Sequence, residues 1–112
     1  MTDQRPKSWS RDEVASIVTS EIVSLPEDQL AALSPFVVAL EPFTTDTGPG
    51  ADGRSYWLIA RHGSRVLYWD SVEEEFATGE LDDRVLSDVR LWGERLEACL
   101  QDFTAARDTG DP

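Results

Sequence analysis

The sequence predicts a single α+β domain, in which a small antiparallel sheet of three to four strands packs against an N-terminal helix and a long C-terminal helix. Three observations favour this class. A chain of 112 residues has room for one hydrophobic core. Apolar residues recur at helical spacing near both ends. The middle contains short β-branched and aromatic runs that glycine and proline separate, which is typical of antiparallel strands.

The expected boundaries follow from these patterns. Residues 1–9 read as a flexible lead-in, residues 10–106 as the single α+β domain, and residues 107–112 as a tail. Gly110 and Pro112 lie in that tail, and both residue types end helices.

Two helices are expected before the sheet. Ser10 is followed three residues later by Glu13, which is the spacing of a capping box. Apolar side chains then form one helical stripe over residues 11–24: Val14, Ile17, Val18, Ile22 and Leu25. A proline and two carboxylates at the start of residues 26–33 favour a short second helix there.

Three strands and one loop are expected next. Residues 36–40 form a strand that Pro42 stops or confines to a sheet edge. Residues 44–54, rich in glycine, form a mobile loop. Residues 56–60 and 66–69 form a hairpin around a two-residue turn at His62-Gly63. That register places Trp57 opposite Tyr68.

The remaining strand and helix follow the hairpin. Residues 72–81 are expected to be a polar edge strand with Phe76 and Ala77 turned inward. One amphipathic helix of roughly five turns follows, with Asp83 or Ser87 as its cap. Its apolar stripe is Val85, Val89, Trp92, Leu96, Cys99, Leu100 and Phe103.

The net charge of −12 restricts the possible partners. Binding to nucleic acid or to an anionic membrane needs a cationic surface, so we expect neither partner. No signal peptide or membrane span is evident, and the single cysteine cannot form a disulfide within the chain. These features predict a cytoplasmic protein.

No cofactor, metal site or enzymatic activity is expected. Residues 48–53 match the letters of G-x-G-x-x-G, but a strand follows them rather than a helix, and Asp52 repels phosphate. His62 reads as a turn residue and Cys99 as a core residue. One histidine and one cysteine cannot make a usual zinc site.

The acidic residues are concentrated in the second part of the chain. From Asp70 onward there are 13 acidic and 4 basic residues, a net charge of −9, against −3 for residues 1–69. This bias indicates a solvated surface that keeps the protein in solution, an acidic composition shared by the whole proteome, or a recognition surface for a basic protein. The candidate residues of such a surface are Glu73, Glu74, Glu75, Glu80, Asp82 and Asp83.

The segment Tyr56-Trp57-Leu58-Ile59-Ala60-Arg61-His62-Gly63-Ser64-Arg65-Val66-Leu67-Tyr68-Trp69-Asp70, followed by Val72-Glu73-Glu74-Glu75-Phe76, resembles the SUKH superfamily. That family comprises small α+β proteins, many of them immunity proteins encoded beside bacterial toxins. The resemblance covers about residues 36–105. It implies a non-catalytic binder that neutralises a toxin domain.

The leading hypothesis is therefore an immunity-type antitoxin whose acidic side meets a basic protein partner. The alternative is a cytosolic structural or adaptor domain that self-associates, as a homodimer, through an apolar face of its sheet. If both helices pack on one face of the sheet, Trp57 and Tyr68 are expected in either hypothesis to anchor an exposed contact patch on the other face, because large aromatic side chains dominate such contacts.

Overall fold

The structure, a computed structural model, describes the chain over residues 9–109 and its side chains over residues 9–104. This part of the chain is an α+β fold with three α-helices and one five-stranded antiparallel sheet, ordered β1-β2-β3-β4-β5. The helices are α1 (Arg11–Val23), α2 (Glu27–Leu33) and α3 (Leu96–Thr109); the strands are β1 (Val37–Phe43), β2 (Tyr56–His62), β3 (Arg65–Asp70), β4 (Glu75–Asp82) and β5 (Val85–Gly93).

The predicted fold class is correct, with five strands rather than three to four. Most of the predicted lead-in, residues 1–8, lies outside the described residues, as do residues 110–112 of the predicted tail. The helix α3 continues through residues 107–109.

The two N-terminal helices form where they were predicted. Glu13 N–H donates to Ser10 Oγ over 3.1 Å, and Ser10 N–H donates to Glu13 Oε1 over 2.9 Å. This is the predicted capping box, which satisfies two backbone groups that the first turn would leave free. Val14 and Val18 of α1 and Leu33 of α2 are buried in the core beneath the sheet.

The β2–β3 hairpin forms with a different turn. Gly63 and Ser64 are the two turn residues, so His62 belongs to β2 and pairs with Arg65. Gly63 has a φ of 61°, which glycine adopts without strain at the first position of a type II′ turn. The prediction of a His62-Gly63 turn was therefore wrong by one residue.

The register of the β2–β3 hairpin also differs from the prediction because β2 contains a bulge. The pairing shifts between Leu58 and Ala60, so Trp57 lies opposite Trp69 and Leu58 lies opposite Tyr68. The predicted pairing of Trp57 with Tyr68 was wrong because the turn is displaced by one residue and the bulge then inserts a residue that no local sequence pattern marks. Trp57 and Tyr68 consequently lie on opposite faces of the sheet.

The strand order agrees with expectation at one edge of the sheet and differs at the other. Pro42 lies inside β1 opposite Trp57, and β1 is an edge strand, as one of the two predicted outcomes for Pro42 requires. β4 was predicted to be the polar edge strand but lies between β3 and β5, with residues 76–79 buried.

The segment predicted as the first half of the last helix is the edge strand β5. Val85 and Val89 are four residues apart, a spacing that fits one face of a helix or one face of an unbroken strand. The predicted caps, Asp83 and Ser87, lie in the β4–β5 turn and in β5. The side chain of Glu21 accepts the N–H of Leu96 over 3.0 Å at the start of α3 instead.

Each sheet face carries its own apolar cluster. The first face, which the helices cover, includes Trp57, Ile59, Leu67, Trp69 and Phe76. The second face includes Tyr56, Val66, Tyr68, Ala77 and Leu81, with Phe43, Leu58 and Leu86 at its margin.

A covering loop, residues 44–53, lies across the second face. Thr45 is buried, and its N–H donates to Gly50 O over 3.1 Å. Asp46 N–H donates to Arg84 O in the β4–β5 turn over 2.8 Å. Gly50 lies so close to Tyr56 that a Cβ there would be 2.5 Å from the ring. The segment predicted as a mobile loop is docked on the sheet.

Candidate protein-binding surface

Three consecutive glutamates, Glu73, Glu74 and Glu75, lie in and directly after the β3–β4 turn; we call them the acidic turn. Glu73 and Glu74 are exposed, and Glu75 is half-buried. Asp70 organises the turn, because its Oδ1 accepts the N–H of Val72 over 2.9 Å and that of Glu73 over 3.2 Å. The acidic turn therefore presents its carboxylates from a defined backbone.

The carboxyl group that organises the turn is itself buried. Asp70 is 5% exposed, and this burial raises its pKa above the ordinary value. The N–H groups of Glu73 and Val72 lower the pKa, while the charge of Glu73 raises it, and burial is the largest cause. The turn therefore concentrates negative charge around a desolvated acid.

The two other predicted aspartates lie at the opposite end of β4. Asp82 ends the strand, and Asp83 is in the β4–β5 turn; both are exposed. Seven residue steps along a strand separate Asp82 from Glu75, or about 23 Å. The six predicted acidic residues are therefore split between two ends of the sheet and form no single continuous face.

The sixth predicted residue, Glu80, bonds within the chain. Its Oε2 accepts from Arg65 Nη1 over 3.0 Å, and its Oε1 accepts from Ser64 Oγ over 2.6 Å. These contacts hold Glu80 against the first face, where the sequence pattern suggested a free surface carboxylate.

A buried ion pair lies next to Glu80. The guanidinium of Arg65 also pairs with the Asp102 carboxylate of α3, and both side chains are largely buried. Asp102 Oδ2 accepts from Thr78 Oγ1 over 2.8 Å, and Trp92 Nε1 donates to Thr78 Oγ1 over 3.0 Å. This Arg65–Asp102 network connects α3 with β3, β4 and β5. The residues of this network are far apart in the sequence, so no local sequence pattern could predict their contacts.

The two predicted aromatic anchors are buried within the chain. Trp57 is 5% exposed on the first face, and Tyr68 is 0% exposed on the second. The Tyr68 ring packs 4.8 Å from that of Tyr56 and 5.4 Å from that of Phe43, and burial raises the pKa of Tyr68. The expectation of a shared, exposed aromatic patch is contradicted, because the helices cover one face and the covering loop the other.

The single cysteine and the single histidine, Cys99 and His62, both make contacts within the fold. Cys99 is fully buried; its Sγ donates to Leu96 O over 3.0 Å, and burial raises the pKa of its thiol to about 12. The thiol is therefore protonated at neutral pH, as the prediction of a core cysteine requires. His62 packs edge-on against Phe36 with ring centroids 4.7 Å apart.

The glycine-rich segment forms a compact turn. Residues 49–52 form a single 3₁₀ turn. Asp52 accepts from Arg54 N–H over 2.7 Å and from Ser55 Oγ over 2.9 Å. Desolvation raises the pKa of Asp52, but these hydrogen bonds outweigh it and the pKa is lowered. The segment therefore holds an ionised carboxylate where a dinucleotide site would need an anion-binding helix end.

Among the side chains described, those of residues 9–104, the structure places no three His, Cys, Asp or Glu side chains where they could hold a metal ion together. None of the helices described over residues 9–109 is both long and apolar enough to cross a membrane.

The fold and its surface define a small acidic α+β protein with an open five-stranded sheet. Comparison with known proteins found no family model, no curated protein and no solved structure that matches this chain.

Proposed function

We propose that the protein is a non-catalytic binding domain that acts in the cytoplasm as an immunity-type antitoxin and contacts a basic toxin domain. The observation that carries the proposal is the acidic turn, in which Glu73 and Glu74 are exposed on a tight connection that Asp70 organises. Clustered exposed carboxylates speed association with a basic partner and set its orientation.

The immunity class rests on the sequence resemblance to the SUKH superfamily. The charge distribution supports the narrower statement that the partner is basic, because the net charge is −12 and most of the excess lies from Asp70 onward. The alternative hypothesis, self-association through an apolar sheet face, loses its support, since Trp57 and Tyr68 are buried in one chain.

The test uses the protein encoded by the reading frame beside this gene. Glu73→Lys, Glu74→Lys and Glu75→Lys, combined in one variant, should slow association at least tenfold at low salt and leave the fold intact, because exposed charges contribute little to stability. Association rates would be measured by stopped-flow fluorescence, and the fold by circular dichroism.

A matched control reverses three exposed glutamates elsewhere in the fold: Glu27, Glu41 and Glu97. It makes the same change in net charge, so it separates a local contact from long-range attraction. Equal slowing in both triple variants would remove the acidic turn from the proposal, and rescue of cells from the neighbouring protein's toxicity would support the immunity role.

A further inference from the structure

The two edges of the sheet offer different surfaces to a partner. β1 contains Pro42, which has no N–H to donate. The pairing of both edge strands is irregular, at one position in β1 and at two positions in β5. β5 has nine residues and no proline. Within residues 9–109, none of the backbone hydrogen bonds outside the helices and the sheet ladders ends on a residue of β5. β5 therefore keeps an open row of donors and acceptors.

Apolar side chains accompany this open row. Val85 is 55% exposed, Val89 45% and Leu91 47%. Leu91 pairs with Ala77, and Val89 lies 3.5 Å from the position of a Cβ on Gly79. Because Ala77 and Gly79 of β4 are small, Val89 and Leu91 project beside a shallow surface. The spacing of these apolar residues predicts a helix, so the sequence pattern gave no indication of an edge strand here.

The charges near β5 are predominantly acidic. Asp82 and Asp83 are exposed at its start, and Asp88 is exposed within it but pairs with Arg65 over 3.7 Å. The two arginines of the same region pair with carboxylates: Arg84 with Asp46 and Arg90 with Asp102, each over 3.3 Å. The unneutralised charge of the edge is therefore negative.

We propose that β5 binds an extended, basic segment of a protein partner as a sixth antiparallel or parallel strand. The backbone of the segment bonds to the open edge, its apolar side chains contact Val89 and Leu91, and its lysines or arginines meet the aspartates. A second copy of this chain is disfavoured, because each copy carries a net charge of −12. The inference rests on the proposed basic partner and adds the surface and the binding mode.

The irregularity at Asp88 fits this use of the edge. Asp88 has a φ of 52°, and the register of β4 and β5 shifts between Thr78 and Glu80. A bulge of this kind interrupts long edge-to-edge pairing, which protects a sheet edge from aggregation. It leaves residues 89–91 as a short regular run for a partner strand, because the pairing shifts again between Leu91 and Gly93.

The probe is a synthetic eight-residue amide of alternating lysine and valine, compared with one of alternating lysine and proline. Both carry the same charge, but only the first can donate backbone hydrogen bonds from every residue. The lysine–valine peptide should bind at least tenfold more tightly and should slow amide exchange in residues 85–93. Equal affinities without slower exchange in β5, or slower exchange in β1 instead, would overturn the inference. Slow β5 exchange in a peptide-free dimer would overturn it as well.

Matched variants separate this inference from the proposed function. Val89→Ser with Leu91→Ser should weaken binding of the lysine–valine peptide at least tenfold, whereas Val23→Ser, at a more exposed valine on α1, should change it less than twofold. If the Glu73–Glu75 charge reversal weakens association with the neighbouring protein but the β5 variant leaves peptide binding unchanged, the inference fails and the proposed function stands. If the β5 variant weakens peptide binding and the charge reversal leaves association with the neighbouring protein unchanged, the inference stands and the proposed function fails.

Discussion

Four residues other than glycine have positive φ in the described chain: Glu74, Asp83, Arg84 and Asp88, with φ between 49° and 77°. All of them lie in β5 or in the turns that flank β4. Asp83 and Arg84 together form a two-residue turn with the signs of type I′, which glycine and asparagine favour. The side chain of an arginine in this conformation costs free energy that glycine does not.

Arg84 is the position where this cost can be measured. Arg84→Gly should be more stable than Arg84→Ala by about 1 kcal/mol, because both lose the exposed ion pair to Asp46 but only glycine relieves the left-handed backbone. Urea denaturation gives both free energies of unfolding. Equal stability of the two variants would show that the backbone at Arg84 is not strained.

The raised pKa of Asp70 predicts that its contribution to folding stability falls as pH rises. Most carboxylates in folded proteins have lowered pKa values and give the opposite dependence. The pKa of Asp70 is raised in the folded protein, so the folded state binds the proton more tightly than the unfolded state does. Its contribution to stability is fully present below the unfolded pKa and is lost as pH rises through the folded pKa.

Asp70→Asn keeps an oxygen that can accept from Val72 and Glu73 but removes the charge. The variant should therefore gain stability relative to the wild type between pH 3 and pH 7, and be at least as stable at pH 7. Thermal unfolding across this pH range measures the difference. A relative loss of stability for the variant as pH rises would contradict the assigned cause.

At the scale of elements, α3 is attached to the sheet in two ways. Leu96, Cys99, Leu100 and Phe103 are buried on the first face, and Asp102 pairs with Arg65 beside them. Arg65 also pairs with Glu80 over 3.0 Å, so the loss of Asp102 removes only part of the compensation of its buried charge.

Asp102→Ala should destabilise the protein by about 1.5–3 kcal/mol, because the largely buried Arg65 loses one of its carboxylate partners. Thr78 Oγ1 also loses its acceptor. Arg90→Ala also removes a contact with Asp102, but Arg90 is exposed, so its loss should cost less than about 0.5 kcal/mol. Chemical denaturation of both variants gives the comparison. Similar losses would mean that the buried pair contributes no more than the exposed one.

The covering loop should be sensitive at one glycine. A Cβ on Gly50 would meet the Tyr56 ring at 2.5 Å and Thr45 Oγ1 at 2.6 Å, so Gly50→Ala must displace the loop. We expect a loss of about 1–3 kcal/mol and increased binding of the dye ANS as the second face is uncovered. Ala51→Ser, at the exposed neighbouring residue, should change neither the stability nor the binding of ANS. An undisturbed Gly50→Ala variant would show that the loop does not pack against Tyr56.

At the scale of the whole molecule, like charges repel one another. A net charge of −12 on 112 residues favours expansion of the chain, and this effect weakens as salt screens it. The charge also opposes pairing between copies, which complements the bulge in β5.

Stability should rise as sodium chloride is increased from 10 to 150 mM, a range over which the Debye length falls from about 30 to about 8 Å. The variant with Glu73→Gln, Glu74→Gln and Glu75→Gln should show a smaller increase, because three of the repelling charges are gone. Calorimetric melting temperatures measure both slopes. A stability that falls with salt would mean that attractive ion pairs outweigh the repulsion.

The sequence by itself determined the features that neighbouring residues control. The capping box of Ser10 and Glu13, the short helix after Pro26 and the burial of Cys99 were predicted because each depends on local geometry or on a compact apolar stripe. The acidic composition also indicated the chemistry of the proposed partner.

Tertiary structure alone decided which surfaces are free. A bulge after Leu58 placed Trp57 and Tyr68 on opposite faces of the sheet. The prediction of a helix failed over β5, because the four-residue spacing of Val85 and Val89 fits the period of a strand as well as that of a helix. Strand register, edge position and ion pairs such as Arg65 with Asp102 depend on contacts between distant residues. Their free energies have no counterpart in a local pattern, so only the folded chain shows that the aromatic side chains are buried and the β5 edge is open.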